Sequence, residues 1–122
     1  PAFKPTLLIR KCIKSIFEQN IDQNLIEVIL IDDNAEQNSN IIFIKKKFKN
    51  LRYFKNHKNL GPGISRNIGI KKSKGKYVFF LDSDDFLKKN SLSKITDAIK
   101  TKKADVIFFD YCLINNKKKH YF

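Results

Sequence analysis

The sequence predicts an α/β fold, with a mostly parallel sheet covered by helices on both faces. Three observations lead there. Apolar residues along the 122-residue chain switch repeatedly between helical and strand spacing. Two strand-like runs, "EVILIDD" and "KYVFFLDSDD", are apolar at consecutive positions, as strands buried on both faces are. The resulting order, α, β, α, β, α, β, α, β, has the spacing of strand-helix-strand units.

Taking the elements in order, residues 5–20 place Leu8, Ile9, Cys12, Ile13, Ile16 and Phe17 at helical spacing, with Pro5 suited to the first turn. The β-branched run ending in Asp32 and Asp33 follows as the first strand. Residues 38–49 carry a second helical stripe of Ile41, Ile42, Ile44 and Phe48, and "LRYF" makes a short second strand. Gly61, Pro62 and Gly63 open a third helix through Ile64 and Ile68. Gly75 stands where that helix would end in a left-handed turn. Tyr77 to Leu81 form a third, buried strand ending in Asp82, Ser83, Asp84 and Asp85. Asn90 or Ser91 can cap a fourth helix to about Lys102, and "ADVIFFDY" reads as a fourth buried strand.

Composition narrows the class. With 42% hydrophobic residues the chain can bury a core, and we expect one domain, residues 1–122, which folds rather than staying disordered. No apolar run is long enough to cross a membrane, and "PAFKPTLLIRK" lacks the pattern of a secretory signal. Cys12 and Cys112 are isolated and without metal spacing, which suits free thiols in a reducing cytoplasm. No methionine occurs, even at position 1, which predicts a truncated piece of a longer protein. The net charge of +13 invites a nucleic-acid reading. However, the excess is mostly scattered Lys among Ile and Asn, and the aromatics sit in apolar runs, so nucleic acid is not an expected partner. Peripheral contact with an anionic membrane surface, at the inner face, is the functional alternative to a solvated lysine-rich surface.

Ligands of parallel sheets bind beyond the carboxyl ends of the strands. Two predicted strands end in aspartates, at Asp32–Asp33 and at Asp82–Asp85, so both clusters belong on one rim. Grouped carboxylates repel unless a cation joins them, which points to a hard divalent ion, Mg²⁺ or Mn²⁺, and through it to phosphate. Arg66, in the first turns of the Gly-Pro-Gly helix, adds positive charge beside backbone amides that a helix start leaves unpaired. A lone aspartate at a strand end is usually a turn former, and Asp85 and Asp110 fit that plainer role. No phosphate loop of the G-x-x-x-x-G-K-[ST] type and no G-x-G-x-x-G fingerprint is present.

"PAFK", "CIKSIFEQ", "EVILIDDN", "NLGPGISRNIG" and "KGKYVFFLDSDDFL", in that order, resemble the nucleotide-binding half of the inverting family-two glycosyltransferases, which have the Rossmann-like GT-A fold. The resemblance spans about residues 1–112. It implies a UDP-sugar donor and a divalent metal, with transfer to a cell-envelope glycan or lipid-linked acceptor in polysaccharide biosynthesis. Pro1 and Phe3 match the family's start of the base-binding segment, although Lys4 replaces the usual Asn. Asp33 resembles the aspartate that contacts the base, with Asp32 its neighbour, and Asn34 stands where many members have Gly. Asn59, Gly61 and Arg66 match the N-x-G…R-N segment, Arg66 facing the nucleotide or its diphosphate. Asp82 and Asp84 match the D-x-D pair, with Ser83 between them: Asp82 facing ribose or metal waters, Asp84 binding metal directly.

The family's catalytic base lies in a second half, so no base is assigned here and this piece alone is expected to bind donor without transferring sugar. The family's central first strand precedes the residue matching Pro1, which predicts a gap between the neighbouring strands here. The alternatives are a nucleotidyltransferase of related architecture, which would need a glycine-rich, lysine-bearing segment that "PAFKPT" lacks, and a basic nucleic-acid-binding module.

Overall fold

The computed structural model describes residues 1–2, 7–34, 39–48, 50–103, 105–108, 110–115 and 118–121. Helix α1 runs Leu8–Phe17, strand β1 Val28–Asp32, helix α2 Ser39–Lys47, strand β2 Leu51–Lys55, helix α3 Gly61–Lys72 and helix α4 Ser91–Lys102; strands β3, Cys112–Asn115, and β4, Lys118–Tyr121, follow. β1 and β2 pair in parallel with Val28 opposite Leu51 and Asp32 opposite Lys55, and Ala2 adds a parallel bridge to Asp32 on the other edge of β1. That bridge is held at both ends: the Ala2 amide donates to the Ile31 carbonyl at 2.8 Å, and the Asp33 amide to the Ala2 carbonyl at 2.8 Å.

Side-chain alternation along β1 sets the layers, because successive residues of a strand point to opposite faces. Val28 and Leu30 join Ile9 and Ile13 of α1 and Ile41 and Ile44 of α2 in one buried cluster, with Phe17 stacked on Phe48 at 4.7 Å. Ile31 lies on the other face, against α3, where a Cβ at Gly69 would come within 3.8 Å of its Cγ1. The apolar stripe of α1 at positions 9, 12, 13 and 16 is what lets a short helix bury one side.

Four expectations change. Residues 77–81 join no ladder among the described residues. Their side chains are half exposed, because a strand needs a partner at about 4.8 Å and a cavity of about 130 Å³, lined by Ile29, Ile31, Gly69 and Tyr77 to Leu81, separates them from β1. The "ADVIFFDY" run likewise forms no strand where described, and Phe108 is 93% exposed; β3 and β4 instead pair with each other, antiparallel. Gly75 does not take a left-handed turn, since α3 ends at Ser73 in extended conformation. Its amide, with that of Lys74, donates to the Glu27 carboxylate. Finally, Asn90 precedes α4 at φ 64° without a side-chain cap bond. The Leu92 amide is met from α1's end, by Gln19 Oε1 at 3.2 Å. Leu8 and Ile42, counted into apolar stripes, are exposed. Pro5 and the ends of the second predicted helix, 38 and 49, lie outside the described residues.

No helix among the described residues is long and apolar enough to cross a membrane.

Candidate functional site at the carboxyl ends of the strands

β1 delivers Asp32 and Asp33 to the rim, each 2% exposed, and alternation sends them to different neighbours. Asp32 is used by the fold: Tyr53 Oη donates to its Oδ2 at 2.7 Å and the Asn34 amide to its Oδ1 at 3.1 Å. Asp33 turns to the start of α3. Its Oδ1 accepts from Asn56 Nδ2 and the Leu60 amide, both at 2.8 Å, and its Oδ2 from the Gly61 amide at 2.8 Å. Burial alone would raise this carboxyl. The donors, Asn56, Leu60, Gly61 and Ser65, outweigh it and hold Asp33 below its ordinary range.

This arrangement corrects one expectation. The Leu60 and Gly61 amides at the start of the Gly-Pro-Gly helix are taken by Asp33, so these two are not open to an anion as the sequence suggests. Asn59 Oδ1 also accepts from the Gly61 amide, at 2.9 Å. Pro62 has no amide to leave unpaired, as suits the first turn. Gly61 sits at φ +81° with nothing within 4 Å of a would-be Cβ. Gly61→Ala should therefore cost about 1–2 kcal/mol through the backbone alone. Gly63→Ala, where space is equally open and φ is ordinary, should be neutral or stabilising by roughly 0.5 kcal/mol. Urea denaturation of the two variants checks the contrast.

From the second acidic segment, Asp82 accepts from the Arg66 guanidinium at 2.7 Å, and the Asp85 amide closes a turn on the Asp82 carbonyl at 3.1 Å. Burial, then the charges of Asp84 and Asp82, lift the Asp85 carboxyl above its ordinary range. Beneath the turn the Cys12 thiol donates to the Asp82 carbonyl at 3.4 Å; burial pushes it up to about 12, so it stays protonated.

A cavity of about 470 Å³ is lined by Pro1, Ala2, Asp33, Asn59, Gly61, Pro62, Arg66, Asp82, Ser83 and Asp84. The structure thus brings together every described residue of the expected site except Asp32, whose carboxylate faces Tyr53. Phe3 lies outside the described residues. Asn56, Ser65 and Tyr53, which fix Asp32 and Asp33, are not legible in the sequence, because isolated polar residues carry no spacing signal for a partner 9 to 23 residues away.

Among the described residues no three His, Cys, Asp or Glu side chains are grouped to hold a metal by themselves. Asp82 and Asp84 both line the cavity, and Mg²⁺ or Mn²⁺ is commonly held by only one or two carboxylates together with water and substrate phosphates.

Comparison with known proteins agrees with this geometry. The model of the family described as glycosyl transferase family 2 matches residues 1–122. The poly(ribitol-phosphate) beta-N-acetylglucosaminyltransferase TarP of Staphylococcus aureus is 36% identical over 113 residues, 91% of this chain and 35% of that protein. The GalNAc(5)-diNAcBac-PP-undecaprenol beta-1,3-glucosyltransferase of Campylobacter jejuni is 33% identical over 120 residues, 96% of this chain and 38% of that protein. Among solved structures, S. aureus TarS 1-349 in complex with UDP-GlcNAc superposes with a TM-score of 0.71 at 29% identity, covering 80% of this chain and 28% of that one. The chain therefore spans less than two fifths of the length of each of these relatives.

Proposed function

The chain belongs to glycosyl transferase family 2, and from that premise we propose that it forms the donor-binding part of an inverting, metal-dependent glycosyltransferase. The donor is a UDP-sugar and the acceptor a cell-envelope glycan or lipid-linked saccharide. The observation that carries this reading is the single cavity in which Asp33, Asn59 and Gly61 from one side meet Arg66, Asp82, Ser83 and Asp84 from the other. Relatives support the chemistry: by their names one is a poly(ribitol-phosphate) N-acetylglucosaminyltransferase and one a glucosyltransferase for an undecaprenol-linked saccharide, and one structural neighbour was solved with UDP-GlcNAc.

The residues divide the work by charge. Asp33, already holding the α3 start in place, keeps a rigid acceptor edge on the cavity, suited to the base. Arg66 is tethered by Asp82, so its guanidinium reaches the diphosphate without a large loss of side-chain freedom. Departure of the nucleotide leaves negative charge on that diphosphate, and Arg66 meets it with a fixed positive charge. When bound, a divalent cation at Asp84, with Asp82 beside it, supplies Lewis-acid stabilisation of the same charge.

The test is isothermal calorimetry with UDP, with and without Mn²⁺. Wild-type chain should bind more tightly with Mn²⁺, and Asp84→Ala should lose about tenfold or more of that gain, in line with the loss of a metal ligand. Binding indifferent both to Mn²⁺ and to Asp84→Ala would remove the basis of the reading.

A further inference from the structure

The segment that carries the acidic turn, residues 82–88, belongs to neither helix nor strand. The segment is largely exposed, yet several of its backbone polar groups find partners within the protein. Three side chains supply them from one side of the molecule. Cys12 Sγ donates to the Asp82 carbonyl at 3.4 Å. Ser15 Oγ, itself anchored to the Cys12 carbonyl at 2.7 Å, accepts from the Leu87 amide at 2.9 Å. Gln19 does most: its Nε2 donates to the Lys88 carbonyl at 3.1 Å and to the Ser15 carbonyl at 2.9 Å, and its Oε1 accepts from the Leu92 amide at 3.2 Å.

Cys12 and Ser15 sit one turn apart on α1 and Gln19 follows just past its end, so these groups form a polar row beside the apolar stripe that enters the core. Cys12 and Gln19 are buried. The polar row contacts the acidic segment at its start, at its end and at the first turn of α4, over separations of 69 to 73 residues. A polar face spent only on solvent would not put side-chain donors and acceptors on four backbone groups, those of Asp82, Leu87, Lys88 and Leu92.

We propose that Ser15 and Gln19, with Cys12, are positioning residues: α1 fixes the backbone of residues 82–92 so that Asp82 and Asp84 face the cavity at a set distance from Arg66. None of the three side chains lines that cavity. They act through the turn. The proposal rests on the reading of this turn as the metal and diphosphate edge of the site, but the holding of the turn can be measured without any ligand.

The experiment uses Ser15→Ala, Gln19→Ala and Ser15→Thr, with Ile41→Val in the core as a comparison for general loss of stability. Amide hydrogen exchange comes first. Leu87 should exchange faster in Ser15→Ala and Leu92 faster in Gln19→Ala, while amides of β1 keep their relative protection; Ser15→Thr, which retains the oxygen, should restore Leu87. Calorimetry follows. Mn²⁺-supported UDP affinity should fall about tenfold in Gln19→Ala, the usual scale for removing support behind a metal-ligating group, and stay within about twofold of wild type in Ile41→Val and Ser15→Thr. Unchanged exchange at both amides would overturn the proposal, as would faster exchange with UDP affinity left intact. Wild-type chain that fails to bind UDP would sink the donor reading alone, because the exchange measurements would still decide whether α1 fixes the turn.

Discussion

Asp33→Ala is expected to destabilise the protein by about 3 kcal/mol and to abolish nucleotide binding. The carboxylate is buried and satisfies the Leu60 amide and the Asn56 side-chain amide, and it shares the Gly61 amide with Asn59. Removing it leaves two donors without their acceptor, each costing roughly 1–3 kcal/mol when buried. It also removes a negative charge from the start of α3, where the helix dipole favours one. Asp33→Asn should not rescue the loss. An amide offers one acceptor oxygen, so its NH₂ must face either the Gly61 amide or the Leu60 and Asn56 donors.

The same residue has a pH signature. Asp33 is held below its ordinary range when folded, so the unfolded chain binds its proton more readily. Its contribution is complete above the unfolded carboxylate pKa of about 4 and is lost as pH falls through the lower folded value. Glu27, lowered chiefly by the Lys74 amide and also by Arg52 and the Gly75 amide, acts in the same direction. Urea midpoints measured from pH 6 down to pH 2 should fall for wild type and fall less steeply for Asp33→Asn. Equal slopes would show that the hydrogen bonds to Asp33 do not distinguish folded from unfolded chain.

Ile44→Ala is the second large effect, with an expected loss of about 2–5 kcal/mol. Ile44 is 0% exposed and lies in the cluster shared by α1, α2 and β1, where the neighbours Ile9, Leu30 and Phe48 cannot all collapse into the space a shortened side chain leaves. Against a total stability of about 5–15 kcal/mol that is a large fraction. Ile42, two residues earlier on the same helix, is 46% exposed, and Ile42→Ala should stay within about 0.5 kcal/mol of wild type. Thermal melts of both variants test the facing of α2 directly, and similar losses for the two would mean that the helix is rotated from the orientation described.

How far the site could be read in advance differs residue by residue. Asp33, Arg66, Asp82 and Asp84 were placed on one rim because strands that end in carboxylates and alternate with helices have few ways to fold. Asp32 was grouped with Asp33 since they are adjacent, yet adjacency in a strand means opposite faces, and Asp32 went to Tyr53 instead. The helix start at Gly61 was found from Gly and Pro. That Asp33 would occupy its first amides was not, since the pairing joins residues 27 and 28 positions apart.

The sequence by itself determined the periods: which side of α1 is apolar, where β1 and β2 run, where α3 and α4 begin, and which segments end in acid. Those follow from local sterics and from the 3.6- and 2-residue repeats, which each stretch carries regardless of its surroundings. Only the tertiary structure decided which apolar runs become strands and which polar side chains become supports. Residues 77–81 have strand character but no ladder among the described residues, and Gln19 caps a helix more than seventy residues away. Both outcomes depend on hydrogen-bond partners brought from distant parts of the chain, and a backbone group's partner is a property of the folded arrangement rather than of its own neighbours.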